Sequence, residues 1–289
     1  MGLFSKKLRL AGLLVLAGAL LAAVLSAAAP RAAPASGSGG ASGVRLPVVM
    51  YHHISVRARS LGKYVLSPAQ FESDLRWLKD SGYESVTADE LLAWCRGEGP
   101  LPAKPVLITF DDGYESTFVY ALPLLRRYGF TAVVSVIGSV SQQYTDRPDH
   151  NLNYSHMTWD QVAEADAGGV LDMECHTWDM HRLSPRRGCG RKKGESAAAY
   201  RTALAGDIGA FQRAFTAHTG RAAHVLALPF GFYSDETLSA AAELGFNVAL
   251  TCTEKVNVLT GDAAELMELG RFNRPYGPSS AAFFGKWEQ

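Results

Sequence analysis

The sequence predicts an α/β fold built on a parallel sheet, arranged as a TIM-like barrel in one domain. Short apolar, β-branched runs alternate along residues 44–289 with stretches of helical period, the pattern of parallel strands joined by crossover helices. The β/α repeats are numerous enough to suit a barrel. Histidines and aspartates gather just past the C-terminal ends of the runs, the edge on which parallel folds build their sites. A doubly wound open sheet is the alternative arrangement.

The elements follow in order. Leu46–Tyr51 is an apolar run ending in His52-His53. Ser67, Pro68 and Gln70 supply an N-cap, a first-turn proline and an N3 residue, and Phe71, Leu75 and Leu78 follow at helical spacing. Thr87 and Glu90 form a capping box ahead of Leu91, Leu92 and Trp94. Val106–Phe110 reads as a strand that runs into Asp111-Asp112-Gly113, with a helix after it to about Tyr128 and a strand over Thr131–Ile137. Thr158 and Gln161 open the next helix, and Val170–Glu174 is a strand leading into Cys175-His176. A helix over Glu195–His218, a strand over His224–Leu228, the Pro229-Phe230-Gly231 turn, a helix over Asp235–Leu244 and a strand over Asn247–Thr251 complete the pattern.

Composition narrows the function. The chain has 28 basic and 28 acidic residues and is 47% hydrophobic, ordinary globular values that exclude wholesale disorder and fibrous repeats. No basic excess points to nucleic acid. Four cysteines are too few for a disulfide framework. Lys6, Lys7 and Arg9 precede an apolar run from Leu10 to about Ala29, and small residues follow, including Ala33-Pro34-Ala35. That order marks residues 1–29 as a signal peptide or an N-terminal membrane anchor. The basic flank keeps the N-terminus cytoplasmic, so the body is expected outside the cytoplasmic membrane, secreted or anchored. Residues 30–43 read as a flexible linker.

The strand-end residues carry the chemistry. His176 and His181 are five apart, which on a helix separates them by about 140° and on a strand puts them on opposite faces. They converge only if the chain leaves the strand and turns. Asp111 and Asp112 pose the same problem, and Gly113 permits the turn. Two histidines and one carboxylate with open positions form a hydrolytic, zinc-type set, and a second carboxylate is then free to act as general base.

The segment Val106–Ser116 (VLITFDDGYES), with the His176–His181 motif, resembles the polysaccharide deacetylase family of NodB-like carbohydrate esterases over residues 45–275. The resemblance implies a distorted (β/α)7 barrel and an exported hydrolase of carbon–nitrogen bonds. It would remove acetyl groups from an N-acetylglucosamine polymer, an exopolysaccharide first, with a divalent metal: Zn2+ by default, Co2+ or Ni2+ as alternatives. By motif position Asp111 is the base, and Asp112, His176 and His181 are the metal ligands. The His-x4-His spacing and Met50–His53 resemble the branch holding the poly-β-1,6-N-acetylglucosamine deacetylases. Leu228–Gly231 resembles that branch's Tyr-Pro-x-Gly turn, which puts Pro229, Phe230 and Gly231 at the substrate. Arg271, in Gly270–Asn273, resembles a late arginine of the branch and joins Asp111 in the catalytic set as its electrostatic partner. The chain departs from the family in two places. Ala227 stands where many members carry an arginine, and no histidine follows Thr251 to serve as the late general acid.

His53, Tyr114 and Trp178 complete the expected substrate contacts, the aromatic rings as stacking surfaces for sugars. Residues 182–194 form a loop with six basic residues, and a Cys175–Cys189 disulfide is allowed outside the membrane. Competing substrates are β-1,4 polymers of the peptidoglycan or chitin type and O-acetyl esters. A reading from another class is a glycan-binding barrel without turnover.

Overall fold

The computed structural model describes residues 43–288. The expected signal peptide or anchor and all of the linker but Gly43 lie outside the described residues. Seven parallel strands form the frame: β1 (Val48–Tyr51), β2 (Pro105–Phe110), β3 (Ala132–Val136), β4 (Leu171–Cys175), β5 (Val225–Ala227), β6 (Val248–Leu250) and β7 (Phe272–Asn273). Their order is β6-β5-β4-β3-β2-β1-β7. The chain entering β7 also reaches the other edge, where Leu269 bridges in parallel to Leu250. The sheet therefore curls into a distorted barrel, as expected, rather than lying open.

Side chains alternate across the strands, and the alternation sorts the core. Val48, Leu107, Val133, Val225, Ala227, Val248, Leu250 and Leu269 form one buried cluster, the barrel interior. The intervening residues, among them Val49, Ile108, Val134, Leu226 and Ala249, pack in a second cluster with Phe71, Leu125, Trp159 and Phe211. These last come from helices α1 (Pro68–Asp80), α3 (Leu122–Tyr128), α5 (Trp159–Ala167) and α6 (Ala197–Thr219) outside the barrel. Parity then places the functional residues. His52 continues the inward set of Val48 and Met50, Asp111 that of Leu107 and Thr109, His176 that of Asp172 and Glu174, and Arg271 that of Leu269.

The helix signals hold. Ser67, Thr87 and Thr158 cap α1, α2 (Ala88–Cys95) and α5 through N3 amides. Two helices are absent from the sequence pattern, the short Ser280–Phe284 and α4 (Gly138–Asp146), whose N-cap is Ile137 and makes no side-chain cap. The start of α4 is satisfied by tertiary partners instead. The amides of Gly138 and Ser139 donate to the carbonyls of Thr177 and Trp178, so α4 begins where the histidine loop ends. Helices α7 (Asp235–Glu243) and α8 (Ser280–Phe284) complete the shell. Small strands outside the barrel also escaped the pattern, because each is two or three residues long: Glu84–Ser85 pairs with the start of β2, and Val44–Leu46 pairs with Asn257–Leu259.

All four cysteines are free, so the Cys175–Cys189 disulfide is not formed; both thiols are buried. No helix among the described residues is long and apolar enough to cross a membrane.

Candidate active site

The C-terminal ends of the strands surround a cleft of about 800 Å³. His52, Asp111, Asp112, His176, His181, Tyr114 and Phe230 all line it. Among the described residues, the non-glycine residues with positive φ are Asp112, Thr177 and Phe230, at 72°, 69° and 58°. Each sits in the turn that leaves a barrel strand at this edge. Left-handed backbone is unfavourable for such residues and tends to be retained at functional sites. The turn after β2 therefore begins on Asp112 itself, one residue before the Gly113 that the sequence points to. Gly113 is needed as well: its φ is 74°, and a Cβ there would lie 2.7 Å from Val136.

Asp112, His176 and His181 converge. Their ligand atoms lie within 4.8 Å of one another, with His176 Nε2 at 3.5 Å and His181 Nε2 at 3.3 Å from Asp112 Oδ1. His176 Nδ1 is 2.9 Å from the Ala227 carbonyl. A carbonyl only accepts, so Nδ1 carries the proton and Nε2 offers a lone pair. Asp112 Oδ1 is buried without a hydrogen-bond partner. Burial, and then the charge of Asp111, raises the Asp112 carboxyl to about 7. Burial lowers His176 to about 3 and also lowers His181. Two imidazole Nε2 atoms, that of His176 with its lone pair free, and an orphaned carboxylate oxygen share one corner, a donor set that suits a divalent cation. The residues fit the metal that the fold implies.

Asp111 is a different kind of carboxylate. Arg271, itself fully buried, donates to it through both terminal nitrogens, Nη1 to Oδ1 at 2.7 Å and Nη2 to Oδ2 at 2.8 Å. Burial works to raise the carboxyl, but the guanidinium prevails and holds it well below the usual range. Arg271 also donates to Thr109 Oγ1 and the Thr251 carbonyl. It thus ties the last strand to Asp111 across the barrel, and Ala227 supplies a carbonyl for His176 rather than a guanidinium.

The sequence reasoning missed Asp207. From α6, its Oδ1 accepts the Trp178 amide at 2.8 Å and its Oδ2 the Asp179 amide at 2.9 Å. One carboxylate pins the loop between the two candidate ligand histidines. Its contacts are 28 and 29 residues away in sequence, which leaves no local signal. Three expected substrate residues do not face the cleft. Trp178 packs on the helical core, where its ring lies 2.5 Å from the position of a Cβ on Gly138. Pro229 is buried, and Gly231 abuts Cys252. Pro229 and Gly231 shape the turn that presents Phe230, whose ring lies 4.4 Å from that of His181. Tyr114 and His53 do line the cleft.

A second acidic and histidine cluster, Asp172, Glu174 and His224, lies toward the opposite end of the barrel. Arg221 already bridges Asp172 and Glu174 at 2.8 Å each, so that cluster carries its own cation.

Fold and site together define a parallel barrel with a three-residue candidate metal corner beside a buried, arginine-held carboxylate. The chain belongs to the polysaccharide deacetylase family, whose profile, described as "Polysaccharide deacetylase", matches residues 98–249. A poly-β-1,6-N-acetyl-D-glucosamine N-deacetylase of Staphylococcus aureus is 27% identical over 199 residues, covering 68% of this chain and 64% of that protein. The chain thus spans a little under two thirds of this relative. The solved structure of IcaB from Ammonifex degensii is 26% identical, with a TM-score of 0.67 over 86% of this chain and 98% of that one. The deacetylase PplD of Streptococcus pyogenes, at 22% identity and a TM-score of 0.69 over 86% of this chain and 100% of that one, shares the fold.

Proposed function

We propose that the protein is an exported, metal-dependent N-deacetylase of an N-acetylglucosamine polymer, with a β-1,6-linked chain as first substrate. One observation carries the reading: an ionised carboxylate held by Arg271 stands beside a separate three-residue metal corner. A glycan-binding barrel has no use for that spare base. The relatives named above support the choice of polymer, and the sequence of residues 1–29 supports export.

Asp112, His176 and His181 would hold the metal. A divalent cation, when bound, supplies Lewis-acid polarisation and a lowered water pKa. Asp111 takes the proton of the attacking water; Arg271 keeps it ionised and aimed. The backbone N–H of Tyr114, just after Asp112 and Gly113 in the chain, would be the donor for the developing oxyanion. His52 stands in the same cleft. It points inward by parity, lines the cleft and leaves Nδ1 without a partner. Burial lowers it to about 4, while Asp111 acts in the opposite direction. The proton that Asp111 takes from the water passes on to the leaving nitrogen, and His52, uncharged at neutral pH, assists as a hydrogen-bond partner.

Two expected outcomes arise here. Metal binding should depend on pH chiefly through Asp112, whose carboxyl is raised to about 7, because burial lowers both histidines. Below about pH 7 the Asp112 proton competes with the cation, so affinity falls by about tenfold per pH unit; above it, affinity levels off. Competition titration with a chromophoric chelator between pH 5 and 8 reads this directly. The same raised carboxyl makes the metal-free protein lose that group's stabilisation as pH rises through about 7. Replacing Asp207 by Ala frees both loop amides and should weaken Zn2+ binding by about 10- to 100-fold. In the Co2+-substituted protein the visible spectrum should change, a readout that simple destabilisation leaves unmoved.

The substrate is tested by acetate release from β-1,6- and β-1,4-linked N-acetylglucosamine oligomers side by side. Faster release from the β-1,6 series supports the reading. Release from the β-1,4 series alone moves the substrate to a chitin- or peptidoglycan-type chain.

A further inference from the structure

The cleft is chemically divided. Its metal corner is charged, but the facing wall is made of neutral rings. His53 lies 4.6 Å from Tyr114, ring to ring, and Tyr114 stacks on His156 at 4.3 Å. The wall is braced by backbone pairing between two segments: Glu115 N–H donates to the Ser155 carbonyl, and Met157 N–H to the Gly113 carbonyl. Asn153 and Tyr154 stand beside it in the same cleft.

His53 is only 5% exposed. Its Nδ1 lies 2.9 Å from Ser116 Oγ, and its Nε2 is buried with no partner. The tautomer follows from Ser116. Its oxygen already accepts the Ile54 amide at 3.1 Å, and its hydroxyl proton has no other acceptor among the described residues. The hydroxyl therefore donates to Nδ1, and the imidazole proton sits on Nε2. A buried N–H donor on a cleft-lining residue is left unsatisfied, a state that costs about 1–3 kcal/mol until a ligand supplies an acceptor.

We infer that this wall is a subsite for the sugar ring next to the one being deacetylated, and that it selects a neighbour that still carries its acetyl group. The inference rests on the deacetylase reading above. An acetylated ring offers a carbonyl and hydroxyl oxygens to His53 Nε2–H and an apolar face to Tyr114. A deacetylated ring brings an ammonium, which only donates. It keeps its hydroxyls but loses the acetyl carbonyl as an acceptor for His53, and it sets a cation against neutral rings. Of the acids near this wall, Glu115 is engaged through Oε1 by His150 and Gln161, Asp149 accepts the Tyr154 hydroxyl, and Asp112 belongs to the candidate metal corner. Burial holds His53 and His156 to about 4, so both imidazoles are uncharged at neutral pH. The consequence is deacetylation at spaced positions rather than in runs.

The test compares kcat/KM for two N-acetylglucosamine pentamers in the purified full chain. One is fully acetylated; the other has a single free amine beside an acetylated ring. The wild-type protein is expected to prefer the first at least tenfold. His53→Leu should bring the ratio to within threefold. His156→Ala, on the same wall, should also lower it and covers the case in which His53→Leu does not fold. Because each ratio is taken within one protein, damage at the reaction centre cancels. Equal rates in the wild type, or a ratio unchanged in both variants, overturns the subsite alone. A zinc-loaded wild type that releases acetate from neither pentamer overturns the functional reading and the subsite with it.

Discussion

Asp111→Asn is expected to reduce kcat by about 10²- to 10⁴-fold, the range for losing a general base, while the protein still binds one equivalent of metal. The two outcomes separate because the carboxylates are separate. Asp112, His176 and His181 form the corner, and Asp111 is bound instead to Arg271 through both oxygens. Asparagine keeps the shape but cannot accept a proton at neutral pH, and it leaves the Arg271 charge half-paired. Some stability will be lost, so the rate must be measured where the variant is folded by circular dichroism. His176→Ala should behave oppositely and lose the metal. An Asp111→Asn protein with undiminished turnover would remove Asp111 from the chemistry.

Arg271→Met is the second large effect. The Arg271–Asp111 pair is almost completely buried, with side chains 0% and 4% exposed. Removing one partner of such a pair costs about 3–5 kcal/mol, because the other charge stays buried and unpaired. For a chain of this size Tm should fall by roughly 6–20 °C. Asp111 now lies below the usual carboxylate range, so the pair's contribution is present above the unfolded value of about 4 and is lost as pH falls through the native value. Without the guanidinium, burial is unopposed and the carboxyl rises. The difference in Tm between wild type and variant should therefore be widest at neutral pH and narrow below about pH 4. The acidic limb of kcat/KM should move upward by about one to three pH units. A purely structural arginine would lower Tm and leave that limb in place. A second buried pair, Arg274 with Asp74, at 2.9 Å through both nitrogens, offers the comparison. Breaking it should lower Tm without moving the limb.

Much of this was legible in the sequence because it is local. Asp111-Asp112-Gly113 and His176–His181 follow apolar strands, and both motifs mark turns at one sheet edge. The capping residues of α1, α2 and α5 mark the crossovers. Other features depend on pairings that local sequence does not encode. Helix α4 has no cap of its own and borrows the carbonyls of Thr177 and Trp178. Asp207 acts on a loop from the far side of a crossover. Trp178 looks like a sugar platform in sequence, but Gly138 leaves the space into which its ring packs. The wall of His53, Tyr114 and His156 joins segments a hundred residues apart, and histidine alone at position 156 carries no pattern. Arg271 was identified by resemblance; the fold supplies its physical reason, the parity of the last strand, which turns it inward onto Asp111.

The most direct test of the account follows acetate release and metal content together. The purified protein would be stripped with a chelator and titrated with Zn2+, Co2+ or Ni2+, using β-1,6-linked N-acetylglucosamine oligomers as substrate. The stripped protein should release no acetate and recover in step with one equivalent of bound metal, with His176→Ala failing to recover. Full metal binding without acetate release from any N-acetylglucosamine oligomer would contradict the deacetylase reading and leave a glycan-binding barrel as the better description.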